Sequence, residues 1–166
     1  MDGKRKPIPA NRILHNPICF LAFGFGSGLA PKAPGTAGTL AAIPLYLLFS
    51  GLPVSAYWVI ILLMFIGGVW LCGRCEQILE TQDHSGIVWD EFVGLLITLA
   101  GVHPSPVPVL AGFVLFRAFD VFKPWPISWL DRHVHGGLGI MLDDALAGLF
   151  AWAILFALTS NGWLEL

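Results

Sequence analysis

Charged side chains are absent from residues 33–73, 92–116 and 145–164, and apart from Glu165 every Asp, Glu, Lys and Arg lies before or between these blocks. A charge at the centre of a bilayer costs roughly 2.5 kcal/mol or more, so clean apolar blocks with charge confined to the gaps are the pattern that lipid imposes. The chain is 166 residues long, 56% hydrophobic and only 12% charged, too apolar for a water-soluble domain of that length. These features predict one all-α domain over residues 1–166, a polytopic membrane helix bundle.

Each crossing needs about 20 residues. The first block breaks at Ser50–Pro53, giving segments 36–49 and 54–73, and the second breaks at His103–Pro108, where three prolines interrupt the helix. The third runs from Ala145 to Leu158 as a single helix. The expectation is therefore about five crossings. Residues 17–30, apolar but glycine-rich and too short to span, are expected to re-enter the bilayer or lie at its surface. Lys4, Arg5, Lys6 and Arg12 hold the start of the chain on the cytoplasmic side by the positive-inside rule. Counting from there puts the loops 74–91 and 117–144 on that same side, with Arg74, Arg117, Lys123 and Arg132 in them.

That count also gathers the acids. Asp83, Asp90, Glu91, Asp120, Asp143 and Asp144 all fall in or beside the cytoplasmic loops, with Asp90, Glu91, Asp143 and Asp144 expected in first helical turns, where the helix dipole favours carboxylates. Each alone reads as a solvated helix cap; as a converging set they call for a hard divalent cation with oxygen ligands, such as magnesium. Arg117, Lys123, Arg132 and Lys32 are cations suited to a phosphate that also bears a metal. The run GFGSGLAPKAPGTAGT, which includes Gly35 and Thr36, offers either backbone amides to an anion or close helix packing. His84, His133 and His135 are proton donors available in the inward loops, none distinguished from the others; His103 falls on the opposite face. Cys72 and Cys75 form a CGRC sequence at a helix end without a preceding strand, and are expected to be two reduced thiols. A net charge of −2 gives no reason to expect nucleic acid.

The wording of four segments resembles the bacterial phosphatidylglycerophosphatase A family: FGFGSGLAPKAPGTAGTLAAIP at 23–44, IVWDEFVG at 87–94, FRAFDVFKPWPISWLD at 116–131 and HGGLGIMLDDALAG at 135–148. The resemblance implies a multi-pass inner-membrane enzyme, its site facing the cytoplasm, that uses magnesium to remove the terminal phosphate of phosphatidylglycerophosphate and give phosphatidylglycerol. No obligate protein partner is expected. The family's acidic positions fall on Asp90, Glu91, Asp120, Asp143 and Asp144, and its lysine on Lys123. In the expected mechanism Asp90, Glu91, Asp143 and Asp144 hold the metal, while Lys123, Arg117, Arg132, Lys32, Gly35 and Thr36 bind the phosphate. Water or an aspartate, Asp120 or Asp90, is the nucleophile. A lipid headgroup transferase and a small cation transporter or channel with a carboxylate-lined mouth are the competing readings; conduction predicts acids along a path rather than gathered at one end.

Overall fold

The computed structural model describes residues 9–82 and 84–163. Lys4, Arg5 and Lys6, on which the expected orientation partly rests, and Asp83 lie outside these residues. The described residues form eight α-helices and no strand: α1 (Ala10–Leu14), α2 (Pro17–Ala22), α3 (Pro34–Phe49), α4 (Val54–Leu79), α5 (Trp89–Thr98), α6 (Pro106–Phe122), α7 (Ile127–His133) and α8 (Gly136–Ser160). A 3-10 turn, Ser27–Leu29, joins α2 to α3.

Among the described residues two helices, α4 and α8, are long and apolar enough to cross a membrane, and α3 is a shorter apolar helix. The six residues of α2 are too few to cross; the helix packs on α4 instead, with Cys19 and Ala22 buried. Leu62, Leu63 and Ile66 of α4 are exposed apolar side chains, as a lipid-facing surface requires.

Two boundaries and one cysteine pairing differ from the sequence expectation. Pro106 and Pro108 open α6 rather than break it, because the first turn of a helix has no use for their missing N–H groups. Helix α8 starts at Gly136, nine residues before Ala145, so Asp143 and Asp144 sit in its interior and not in its first turn. The glycines that argue against helix in GGLGIMLDD are there for contact: a Cβ on Gly137 would collide with the Val69 carbonyl of α4, and one on Gly139 with the Val134 carbonyl. Cys75 is joined to Cys19 of α2 in a disulfide, while Cys72 is buried and unpaired, so the CGRC cysteines form neither a redox pair nor two reduced thiols.

Helix α5 has only ten residues, and its end is buried in the bundle. The last carbonyls of a helix lack intrahelical partners and must find others where water is excluded. Tyr57 of α4 donates to the Leu96 carbonyl at 2.8 Å, Trp152 of α8 to Ala100 at 3.0 Å and Tyr46 of α3 to Val102 at 2.8 Å. These three side chains let the chain stop and turn inside the fold.

At the other end, glycine contact sets the register. Helices α5 and α8 run parallel and meet where a Cβ on Gly148 would lie 2.5 Å from the Gly94 carbonyl oxygen. Gly94 follows Asp90 by one helical turn and Gly148 follows Asp144 by one turn, so the same close approach brings those carboxylates side by side.

Candidate active site

A cavity of about 460 Å³ opens among the N-terminal ends of α3, α5 and α8 and the C-terminal end of α6. Six carboxylates line it, Asp90, Glu91, Asp120, Asp131, Asp143 and Asp144, together with Arg117, Lys123, His84 and the Ala33–Gly35 start of α3. Glu91 is 8% exposed and Asp144 3%. Charges this buried are stable only when paired or bound to a cation.

Two cations account for part of the set. Arg117 reaches Asp120 one turn further along α6 at 2.6 Å and Glu91 at 3.7 Å, so it belongs mainly to Asp120, and it donates to the Thr39 hydroxyl at 3.5 Å. Gly35 makes room for this pair: a Cβ there would collide with Glu91 Oε1 and come within 3.2 Å of the guanidinium. Lys123, the left-handed C-cap of α6, places its ammonium 2.5 Å from both Asp131 and Asp143. Burial works against the Lys123 charge, but the Asp131 and Asp143 carboxylates more than offset it and hold the ammonium above the usual lysine range.

The remaining acids form a separate group. One carboxylate oxygen each from Asp90, Glu91 and Asp144 lies within 4.8 Å of the other two. Asp90 Oδ1, Glu91 Oε2, Asp143 Oδ1 and Asp144 Oδ2 are buried and have no hydrogen-bond partner. When ionised, the six carboxylates outnumber the two lining cations. Oxygen-only donors, several orphaned lone pairs and uncompensated charge are the chemistry that suits a hard divalent cation.

The family profile described as phosphatidylglycerophosphatase A matches residues 20–159. The chain belongs to the phosphatidylglycerophosphatase A family. It is 46% identical over 155 residues to "Phosphatidylglycerophosphatase A" of Escherichia coli (strain K12), covering 92% of this chain and 90% of that protein. It is also 46% identical over 147 residues to "Phosphatidylglycerophosphatase A" of Haemophilus influenzae, covering 87% of this chain and 90% of the relative. No solved structure matches. Membership makes the chain an enzyme of the phosphatase class, and with two spans of membrane length it is a membrane protein.

Of the residues singled out from sequence, the fold brings Asp90, Glu91, Asp120, Lys123, Asp143, Asp144, Arg117 and Gly35 to one cavity. It does not bring Lys32, Thr36 or Arg132 to the lining; Lys32 and Arg132 are exposed. Lys32 precedes the first turn of α3, and Arg132 sits at the end of α7, one residue past the side chain that reaches Lys123. Asp143 is drawn to Lys123 and stands apart from the three-carboxylate group in which it was expected. Gly28, Gly35 and Gly38 all serve close packing: a Cβ at Gly28 would strike the Gly86 carbonyl, and one at Gly38 would lie 2.6 Å from Val88.

Asp131 is the acid that the sequence reading missed. Its signal was the eight-residue spacing from Lys123 across KPWP, which returns the chain to the lysine once the turn closes.

Proposed function

We propose that this enzyme hydrolyses the terminal phosphate of phosphatidylglycerophosphate, with magnesium, to give phosphatidylglycerol and phosphate. The observation that carries the reading is the group Asp90, Glu91 and Asp144, with orphaned buried oxygens, beside a cavity that also presents Lys123 and Arg117. In a chain 46% identical to proteins named for that activity, such a site fits a metal-assisted attack on a phosphate monoester.

Asp90, Glu91 and Asp144 would hold the magnesium. Bound there, it supplies a Lewis acid for the phosphoryl oxygens and relieves the repulsion among the carboxylates. Lys123 and Arg117, pre-oriented by their acid partners, bind the outer phosphate oxygens and stabilise the charge that develops on them. Asp143, one oxygen on Lys123 and the other without a partner, takes the proton of the attacking water. The ester P–O bond breaks as the new one forms, and its electron pair leaves on the glycerol oxygen, which is then protonated.

The site lies in the cytoplasmic half of a bundle with about five legs, α3, α4, α5, α6 and α8, in the inner membrane. Supporting this orientation, Arg74, Arg117, Lys123 and Arg132 all belong to the end that carries the cavity, whereas the Ser50–Pro53 and 99–105 turns at the other end contain no charged residue. The acyl chains stay in the bilayer and the headgroup enters the cavity from its surface. The gathering of the acids at one end favours hydrolysis over conduction. Release of inorganic phosphate from phosphatidylglycerophosphate in mixed micelles, with phosphatidylglycerol as co-product, tests the reading. Activity that is undiminished by removal of magnesium, or a product that retains phosphate in a new ester, would refute it.

A further inference from the structure

The stretch that closes one wall of the cavity has two sides of opposite chemistry. Lys123 and Asp131 line the cavity. Between and beside them Phe122 is 82% exposed and Trp125 80%, so neither ring has a cover of protein, and Val121 and Trp129 are exposed as well. On α7, Ile127 is buried while Asp131 lines the cavity. These two are four residues apart and share one side of the helix, so Trp129, two residues from each, points to the other. Polar side chains of this stretch turn in and aromatic ones turn out.

Its depth along the bundle follows from its neighbours on α8. Phe119 meets Phe150 at a ring-centroid distance of 5.8 Å, and Lys123 meets Asp143 at 2.5 Å. Residues 119–123 therefore run past Ala145, where the last charge-free block begins on a helix of membrane length. A charge-free block ends where hydrocarbon gives way to headgroups, and tryptophan favours that depth. Further back along α6, Leu110 and Val114 are exposed on the side that bears Val121, at spacings of four and seven. An apolar stripe thus follows α6 to the two rings that flank Lys123 in sequence.

We propose that this stripe seats the acyl chains of the substrate lipid, with its phosphate on Lys123 and its chains against Phe122, Trp125 and the outer side of α6. This rests on the reading of the cavity as a lipid phosphate site. A lipid whose headgroup enters a polar cavity must leave its chains where apolar surface adjoins that cavity, and an exposed aromatic patch of this kind marks a contact surface. The chain turn at Lys123 supplies both contacts within a few residues, which ties the position of the phosphate to that of the chains.

The test uses the full-length enzyme in detergent, at saturating magnesium, with two phosphates. One is dioleoyl phosphatidylglycerophosphate in mixed micelles; the other is its deacylated, water-soluble headgroup. In Phe122→Ala/Trp125→Ala, kcat/KM on the lipid is expected to fall about tenfold, mainly through KM, the scale of two lost aromatic contacts. On the deacylated phosphate the same variant is expected to stay within about twofold of native. Phe122→Leu/Trp125→Leu, which keeps apolar surface without the rings, is expected to stay within about threefold of native on both. Equal falls on the two phosphates in the alanine pair, or no fall on the lipid, overturn the proposal. A fall on both with a drop in oligomeric mass shows a second copy seated on this face and overturns it too. Should the alanine pair lose Mn²⁺ binding and so be misassembled, Phe122→Ala alone decides: a loss confined to the lipid supports the proposal, and an equal loss or none overturns it. If the native chain turns over the lipid and not the deacylated phosphate, inhibition by the latter takes the place of its rate, and weaker inhibition in the alanine pair overturns the proposal. Native enzyme that releases phosphate from neither compound counts against the reading of the cavity, whereas failure of the acyl-chain assignment alone leaves native hydrolysis intact.

Discussion

Gly94 and Gly148 bring the backbones of α5 and α8 together one turn beyond Asp90 and Asp144, and a single methyl group on Gly148 would meet the Gly94 carbonyl at 2.5 Å. The distance between two carboxylates in the site is thus set by two residues that have no functional group. Gly148→Ala is expected to push the helices apart and lower activity at least tenfold, with a higher magnesium concentration needed for half-maximal rate. Gly67→Ala, at a position with nothing within 4 Å, is the matched control and should leave the rate unchanged. Initial rates across a magnesium titration check both.

Lys123 bridges Asp131 and Asp143 at 2.5 Å each. Lys123→Asn keeps a residue that tolerates the left-handed C-cap but removes the charge, leaving Asp143 buried beside other acids. A loss of about 100-fold or more in kcat is expected, with Asp131→Asn milder because Asp131 is the more exposed partner. Steady-state kinetics on micellar substrate separates the two.

The pH dependence of that bridge follows from its sign. The folded lysine is held above its ordinary value of about 10.4, so its contribution to stability is complete below that value and is lost only as pH rises through the higher folded one. From about pH 6 to 9 the lysine therefore stays charged and its contribution is not lost as pH rises. Thermal unfolding midpoints of the native chain and Lys123→Asn in detergent should differ by an amount that does not fall as pH is raised across that range. A difference that shrinks toward pH 9 would contradict the assignment.

Leu63 of α4 is 63% exposed, and the solvent it faces is lipid on this reading. Leu63→Arg adds a charge near the middle of the helix at a cost of about 3 kcal/mol. A reduced share of the chain in the membrane fraction is expected. The opposite end gives the contrast: Arg132→Ala, exposed and away from the cavity, should change neither membrane recovery nor rate by more than about twofold.

Much of this was legible in the residues. Charge exclusion marked the apolar blocks, the Ser50–Pro53 turn fell where the first block breaks, and Asp90 and Glu91 occupy the first turn of α5 as the helix dipole favours. The start of α8 was not legible, because glycine discourages helix locally while Gly137 and Gly139 are required by contacts with Val69 and Val134 that only the fold creates. Likewise, sequence put Asp143 and Asp144 together as neighbours, yet adjacent positions on a helix point about 100° apart, which sends one to Lys123 and the other to Asp90 and Glu91. The pairing of Cys19 with Cys75 joins residues 56 positions apart and had no local signal. Of the three loop histidines the fold brings His84 to the cavity lining, and nothing in its local sequence set it apart from His133 and His135.

Binding of Mn²⁺, followed by its electron paramagnetic resonance signal in detergent-solubilised protein, tests most directly whether acids from α5 and α8 act as one cation site. Saturable binding by the native chain, lost or weakened at least tenfold in Asp90→Asn and in Asp144→Asn but kept in Asp131→Asn, is the expected result. Equal binding in all four proteins, or none in the native chain while it still releases phosphate in the presence of a chelator, would contradict it.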